Sequence, residues 1–223
     1  MAIGQTETYD RAQLLFGSSV LMIAMNVFPL SSQLELVALG EEGDDARAVA
    51  TSLGGVAYVD ERPHAESLPF RTLVRAVTDD IEALASSATV GLYVVCARTK
   101  KVRSSDASGR PEPRTGPVTI NAMIHHPDQS HRQSDAYWRD GHGPLALRIH
   151  VGMADYTQLS VLSTIAGTPY DGFAILGFDS EDDLKNRFYA TPGDKHVIYD
   201  DVAKFSDLKR SPRRLVAMQY PNF

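Results

Sequence analysis

The chain has 223 residues, of which 43% are hydrophobic, and its 22 basic and 28 acidic side chains give a formal net charge of −6. This length is sufficient for two compact domains with buried cores. The acidic balance gives no electrostatic reason to expect binding to nucleic acid or to an anionic membrane.

Near the start of the chain, the apolar run over residues 20–28 is too short for a bilayer, which takes about 20 residues to span. Acidic and polar residues precede it, rather than a basic segment, so we expect a buried strand or helix and no signal peptide or membrane anchor. The single cysteine, Cys96, lies in another apolar run and cannot form an internal disulfide. It favours a cytoplasmic location and a buried, inert thiol.

The first half of the chain, residues 1–103, gives an incomplete alternation of strands and helices. Residues 32–36 fit either the capped start of a helix or a strand. Apolar spacing and glycine punctuation predict helices over 44–53 and 70–84, and strands over 56–60 and 90–98. This β-α-β-α-β order is consistent with a degenerate ferredoxin-like domain.

The second half is more regular and follows a segment rich in proline, glycine and serine, residues 104–117, which predicts a linker. Residues 118–223 give the β-α-β-β-α-β order of a ferredoxin-like domain. Its strands are predicted over 118–125, 156–163, 173–178 and 215–220, and its helices over 130–140, with a continuation over 144–150, and from 180 onwards. We therefore predict an α+β chain of tandem ferredoxin-like domains whose sheets pair in one pseudo-dimeric barrel.

The strand predicted over 118–125 alternates between apolar and more polar side chains. We expect its apolar face to lie beneath the helices, and Asn121 and His125 on the other face to point into the barrel. Because an unpaired buried polar group costs about 1–3 kcal/mol, these two residues either bind a ligand or pair with each other, with water or with the partner sheet.

Trp138 and His142 are the most informative pair in the chain. Their i, i+4 spacing places them on one helical face, and Gly143-Pro144 then interrupts the helix while suiting the first turn of a new one. An imidazole in this position can exchange protons with a ligand near neutral pH, or it can pack as a core histidine beside the indole.

Five short motifs follow one another in the second half: YWRDGHGPL at 137–145, DYT at 155–157, PYDGF at 169–173, FDSEDDL at 178–184 and DVAKF at 201–205. Their order and spacing resemble the EthD family over about residues 118–220. The resemblance implies ferredoxin-like domains that pair sheet to sheet as dimeric α/β barrels. It also implies a link to the degradation of ethers and aromatic compounds, and related barrels include cyclases and monooxygenases.

Other polar and aromatic residues are candidates for the same site. Tyr156 can donate a hydrogen bond to a substrate oxygen or pack as a strand aromatic, and Asp171 can orient an imidazole or bond the backbone of its own turn. His150 and Arg148 suit the negative end of a helix dipole and need no catalytic role. The predicted catalytic residues are therefore His142, Tyr156 and Asp171, and the predicted substrate-binding residues are Asn121, His125, Trp138, Tyr170 and Phe173.

We expect neither a metal nor an organic cofactor. His125, His126, His131 and Asp128 lie close together in the sequence, but neighbouring strand residues point to opposite faces and do not converge on one ion. The chain contains no phosphate-binding glycine-rich loop, no Gly-x-Ser-x-Gly elbow and no Cys-x2-Cys pair.

Two functional hypotheses follow. The first is a cofactor-independent lyase, cyclase or isomerase that applies acid/base chemistry to a small apolar or aromatic oxygenated compound in a catabolic or secondary-metabolic pathway. The second is a non-catalytic ligand-binding or accessory protein of the EthD type. An enzyme needs His142 to reach an open cavity, whereas a binding module does not. The sequence leaves open whether two tandem-domain chains pair as a homodimer.

Overall fold

The structure is a computed structural model that describes residues 32–63, 68–104, 114–212 and 214–221. The apolar run at 20–28 and most of the predicted linker at 104–117 lie outside these residues. Within the described ranges, none of the helices combines the length and the apolar character that crossing a bilayer requires.

The first half contains a complete β-α-β-β-α-β set. It consists of β1 (Ser32–Gly40), α1 (Gly43–Ser52), β2 (Val56–Val59), β3 (Thr72–Ala76), α2 (Ile81–Ala85) and β4 (Gly91–Lys101). The helix predicted over 44–53 and the strands predicted over 56–60 and 90–98 are confirmed, and the ambiguous residues 32–36 begin β1.

The helix predicted over 70–84 is wrong. This stretch forms β3 and then the short α2, whose amino end is capped by the Asp80 side chain accepting from the Ala83 amide at 2.8 Å. The local apolar spacing suits a helix, but β3 pairs with both β1 and β2. Those two ladders, together with burial of Leu73 in the barrel core, decide the conformation of the stretch, because strand preference depends strongly on such tertiary context.

The second half has the predicted element order. It consists of β5 (Val118–Met123), α3 (His131–Tyr137), a π-helical turn (Trp138–His142), α4 (Gly143–Ile149), β6 (Met153–Gly167), β7 (Gly172–Phe178), α5 (Glu181–Asn186), α6 (Asp194–Val202) and β8 (Leu215–Tyr220). A capping box between Ser130 and Gln133 starts α3, and the Ser180 side chain caps α5.

The strands of both halves close into one antiparallel barrel in the order β1-β3-β2-β8-β5-β7-β6-β4. The halves meet where β2 pairs with β8 and where β4 pairs with β6. The prediction of an α+β chain whose two halves build one barrel is therefore confirmed.

Side chains from all eight strands fill the barrel interior with a continuous apolar core. The prediction for the faces of β5 is wrong, because Val118, Ile120 and Ala122 belong to this core, whereas Asn121 and Met123 line a cavity on the helix side. The closed interior of the barrel is the more apolar environment, and the helix side accepts polar groups because the helices leave a cavity there.

Candidate functional site

A cavity of about 320 Å³ lies between the outer face of β5–β7 and a cover formed by the π-helical turn, α4, α6 and the segments that flank α6. Every described residue that lines it comes from the second half of the chain. Most of the wall is apolar or aromatic, which suits a small organic ligand. Four of the predicted site residues line this cavity: Asn121, Trp138, His142 and Tyr156.

Trp138 and His142 are positioned by the π-helical turn between α3 and α4. The Gly143 amide donates to the Trp138 carbonyl, five residues earlier, and Pro144 begins the next helical piece. Proline has no N–H for the α-helical ladder, and single π-turns inside helices occur frequently at functional sites. The turn brings the indole and the imidazole to the same cavity.

Asp201 orients the His142 imidazole. Its Oδ2 lies 2.8 Å from His142 Nδ1, while Oδ1 accepts from the Tyr137 hydroxyl at 2.6 Å and from the Lys204 ammonium at 3.1 Å. Burial acts to raise the pKa of Asp201, but these three partners outweigh it and hold the pKa below its ordinary value. The ionised carboxylate therefore favours the tautomer with hydrogen on His142 Nδ1 and a lone pair on Nε2.

His142 is neutral and faces the cavity. Burial lowers the pKa of its imidazole, and the bond with Asp201 counters this only in part. Among the described residues its Nε2 has no hydrogen-bond partner and is not fully buried, and the residue lines the cavity, so we infer that this atom is accessible to a ligand. Such an imidazole can accept a proton from a ligand, and Asp201 stabilises the imidazolium that forms.

The Tyr156 hydroxyl receives two hydrogen bonds in the cavity wall. Trp138 Nε1 donates to it at 3.2 Å and Gln158 Nε2 at 2.9 Å. Burial raises the pKa of the phenol, so it keeps its proton. Because both neighbours donate, the phenol hydrogen has no acceptor among the described residues.

Asp171 contacts two imidazoles, but neither is His142. Its carboxylate oxygens lie 2.9 Å from His125 Nδ1 and 2.8 Å from His131 Nδ1. The bond to Asp171 raises the pKa of His131, and despite burial the pKa of Asp171 is lowered by its histidine partners. These three described residues do not line the cavity. The expectation that His125 points into the barrel is wrong, because β5 ends at Met123 and the imidazole turns towards Asp171.

Tyr170 and Phe173, two of the predicted substrate-binding residues, lie in the barrel core instead of the cavity. Their ring centroids are 5.7 Å apart, and Phe173 also packs against Tyr93 at 5.3 Å and Phe70 at 6.5 Å. These edge-on contacts are those of an aromatic core cluster.

Sequence reasoning missed the partner of His142 and misread His150. Asp201 lies 59 residues after His142, so no local spacing links them, although the DVAKF motif contained it. The interpretation of His150 as a cation at a helix end is wrong. Its side chain is buried and lines the cavity, Nδ1 lies 2.8 Å from the Phe188 carbonyl, and burial lowers its pKa to about 4.

Comparison with protein families confirms the resemblance seen in the sequence. Residues 126–209 match the family model of the EthD domain. The matched residues include the π-helical turn, α4 and α6. No curated protein sequence matches the chain.

Solved structures resemble this chain at low sequence identity. An anthrone oxidase-like protein aligns with a TM-score of 0.52 and 10% identity over 84% of this chain and 92% of that chain. A mutant chlorite dismutase from Candidatus Nitrospira defluvii aligns with a TM-score of 0.46 and 9% identity over 87% of this chain and 94% of that chain. A haem-binding protein from Thermus thermophilus aligns with a TM-score of 0.41 and 11% identity over 86% of this chain and 93% of that chain. At such identity, the first likeness establishes a common fold and no common chemistry.

Proposed function

We propose that this protein is an enzyme in which His142 takes a proton from a small, largely apolar oxygenated or aromatic compound bound in the cavity. The observation that carries the proposal is the 2.8 Å contact between His142 Nδ1 and Asp201, made by an imidazole that lines a cavity of about 320 Å³. The EthD domain supports the broader class of an enzyme or ligand-binding protein of the EthD type.

The simplest chemistry of this site is proton movement next to a carbonyl group. A C–H proton of the ligand passes to His142 Nε2, the electron pair of that bond forms a C=C bond, and the π pair of the carbonyl group moves onto its oxygen to give an enolate. Tyr156 donates its hydroxyl hydrogen to that oxygen, and Asn121 is a second polar group in the wall. Return of the proton to another atom gives an isomerisation, and loss of a leaving group gives an elimination. A positioned histidine accelerates such steps by about a hundredfold to ten-thousandfold.

We also propose that each half is one ferredoxin-like domain, over residues 1–103 and 118–223, joined by a linker at 104–117. The strand orders support this, because β4-β1-β3-β2 in the first half corresponds to β8-β5-β7-β6 in the second. Since all the described residues that line the cavity belong to the second half, the proposal gives each chain one site.

Anthrone, the compound in the name of the anthrone oxidase-like neighbour, is a suitable probe because its methylene group lies in an aromatic ketone and loses a proton to bases. We would measure deuterium incorporation at this carbon by NMR in heavy water. The wild type should accelerate exchange, and His142→Gln should reduce the acceleration about a hundredfold or more. His126→Gln, which alters a histidine outside the cavity, is the matched control and should leave the rate unchanged.

Two results would contradict the enzyme proposal. One is equal acceleration by the wild type and His142→Gln. The other is anthrone that binds the wild type without faster exchange, which would favour the ligand-binding alternative. The mostly apolar cavity wall is equally consistent with a non-catalytic ligand-binding protein.

A further inference from the structure

A second imidazole lines the cavity and has no part in the proton transfer proposed above. His150 follows α4 directly and is 5% exposed. Its ring lies against Phe188 and Tyr189, with centroid distances of 4.4 and 5.8 Å. Because these contacts hold the ring, the fold sets the directions of its two nitrogen atoms.

One of these nitrogen atoms has a hydrogen-bond partner among the described residues, and the other has none there. His150 Nδ1 lies 2.8 Å from the Phe188 carbonyl oxygen, and because a carbonyl only accepts, Nδ1 carries the hydrogen. Nε2 therefore holds a lone pair. This atom has no partner among the described residues and is not fully buried. Its residue lines the cavity. This lone pair is thus available to a ligand.

His150 and His142 differ in what they can do with a proton. Burial lowers the pKa of His150 to about 4, and its partner is a neutral carbonyl, whereas His142 has the Asp201 carboxylate. His150 therefore stays neutral while it accepts a hydrogen bond. A neutral hydrogen-bond donor on the ligand can pair with His150 Nε2. A ligand without a donor leaves this nitrogen unpaired, which weakens binding.

The aromatic residues of the cavity wall indicate which kind of ligand carries the hydrogen-bond donor for His150. Trp138, Phe188 and Phe205 present aromatic rings to the same cavity, and such walls favour flat apolar rings. An aromatic ring that bears a hydroxyl group satisfies both the apolar wall and the nitrogen lone pair.

We propose that His150 Nε2 accepts a hydrogen bond from a hydroxyl group of the ligand, so that the cavity selects hydroxylated aromatic compounds over the same rings without the hydroxyl. The inference rests on the proposed function, because both require a ligand in this cavity. It adds that the ligand carries a hydroxyl group in addition to the carbon atom that His142 deprotonates.

The test uses 2-naphthol and naphthalene, which share one ring system and differ by the hydroxyl group. Isothermal titration at pH 7 should show that the wild type binds 2-naphthol roughly threefold to tenfold more tightly, the effect of one net hydrogen bond. His150→Phe keeps an aromatic ring beside Phe188 but lacks the acceptor, and it should bind the two probes equally. His126→Phe, outside the cavity, should keep the wild-type preference.

Two further measurements distinguish the loss of the Nε2 acceptor from a folding defect in His150→Phe. His150→Asn offers an amide donor to the Phe188 carbonyl without an acceptor at the Nε2 position, and it too should lose the preference. In the wild type, the ¹⁵N resonance of His150 Nε2 should shift on addition of 2-naphthol and should not shift with naphthalene.

The possible results separate the two proposals. Equal affinity of the wild type for both probes, or a preference that survives both substitutions, would overturn the role of His150 and leave the cavity as a ligand site. If the wild type binds neither probe, the ligand-binding basis of the proposed function fails together with this inference.

Discussion

Asp201 in α6 and His142 in the π-helical turn form a buried pair, with 2.8 Å between the carboxylate and Nδ1. Tyr137 and Lys204 bind the other carboxylate oxygen, so Asp201 keeps two partners when His142 is replaced. The pair joins α6 to the π-helical turn and fixes the imidazole at the cavity.

This arrangement predicts that substitutions at Trp138 and at His142 lower the free energy of unfolding by different amounts. Trp138→Ala should lower the free energy of unfolding by about 3–5 kcal/mol, since it removes a fully buried ring. His142→Gln should cost about 1 kcal/mol, because Asp201 remains paired. His142 is only 7% exposed, so its loss is not neutral. Urea denaturation measures both values, and an equal loss would mean that His142 serves chiefly as a core residue.

Gly172 should be intolerant of any side chain. A Cβ atom at this position would lie 2.6 Å from Cζ3 of Trp138 and 3.0 Å from the Leu159 carbonyl oxygen. Gly172→Ala should therefore displace the indole and cost about 1–3 kcal/mol of stability, with weaker binding of 2-naphthol. Gly193→Ala is the control, because the nearest atom would be 3.9 Å away. Thermal melts that coincide for the two variants would refute the close contact.

Stability should fall in acid because His150 is buried as a neutral imidazole. Its folded pKa is about 4, against an ordinary 6.5, so the unfolded chain binds the proton more readily. The penalty is absent above about pH 6.5 and grows as the pH falls to 4, where it reaches about 3 kcal/mol. His150→Phe should flatten this part of the curve in urea titrations. A variant curve parallel to that of the wild type between pH 4 and 6.5 would contradict this prediction.

His131 should have the opposite effect. Asp171 raises the pKa of His131, so the protonated pair stabilises the fold fully below the ordinary histidine pKa and loses this contribution as the pH rises through the raised value. The melting temperature of the wild type should therefore exceed that of His131→Gln by more at pH 6 than at pH 8. The same difference at both pH values would show that the Asp171 bond does not depend on the charge of His131.

Local signals predicted the second half well, and long-range contacts explain what they missed. The helix predicted from residue 130 begins there as α3, where Ser130 and Gln133 form a capping box. The stretch that became β3 has helical spacing, and only its pairing with β1 and β2 reveals the strand. The same holds for the site. Trp138 and His142 are four residues apart, whereas Asp201 reaches them only through the packing of α6.

We propose that His142 accepts a proton from the ligand. Its pKa lies below the ordinary histidine value, so the acceleration of anthrone deuterium exchange should rise with pH through one ionisation below pH 6.5 and stay constant towards neutral pH. The most direct test is this pH–rate profile, measured by NMR for the wild type and His142→Gln. We expect the ionisation and the acceleration to disappear together in the variant. An unchanged profile in His142→Gln would show that His142 does not accept the proton.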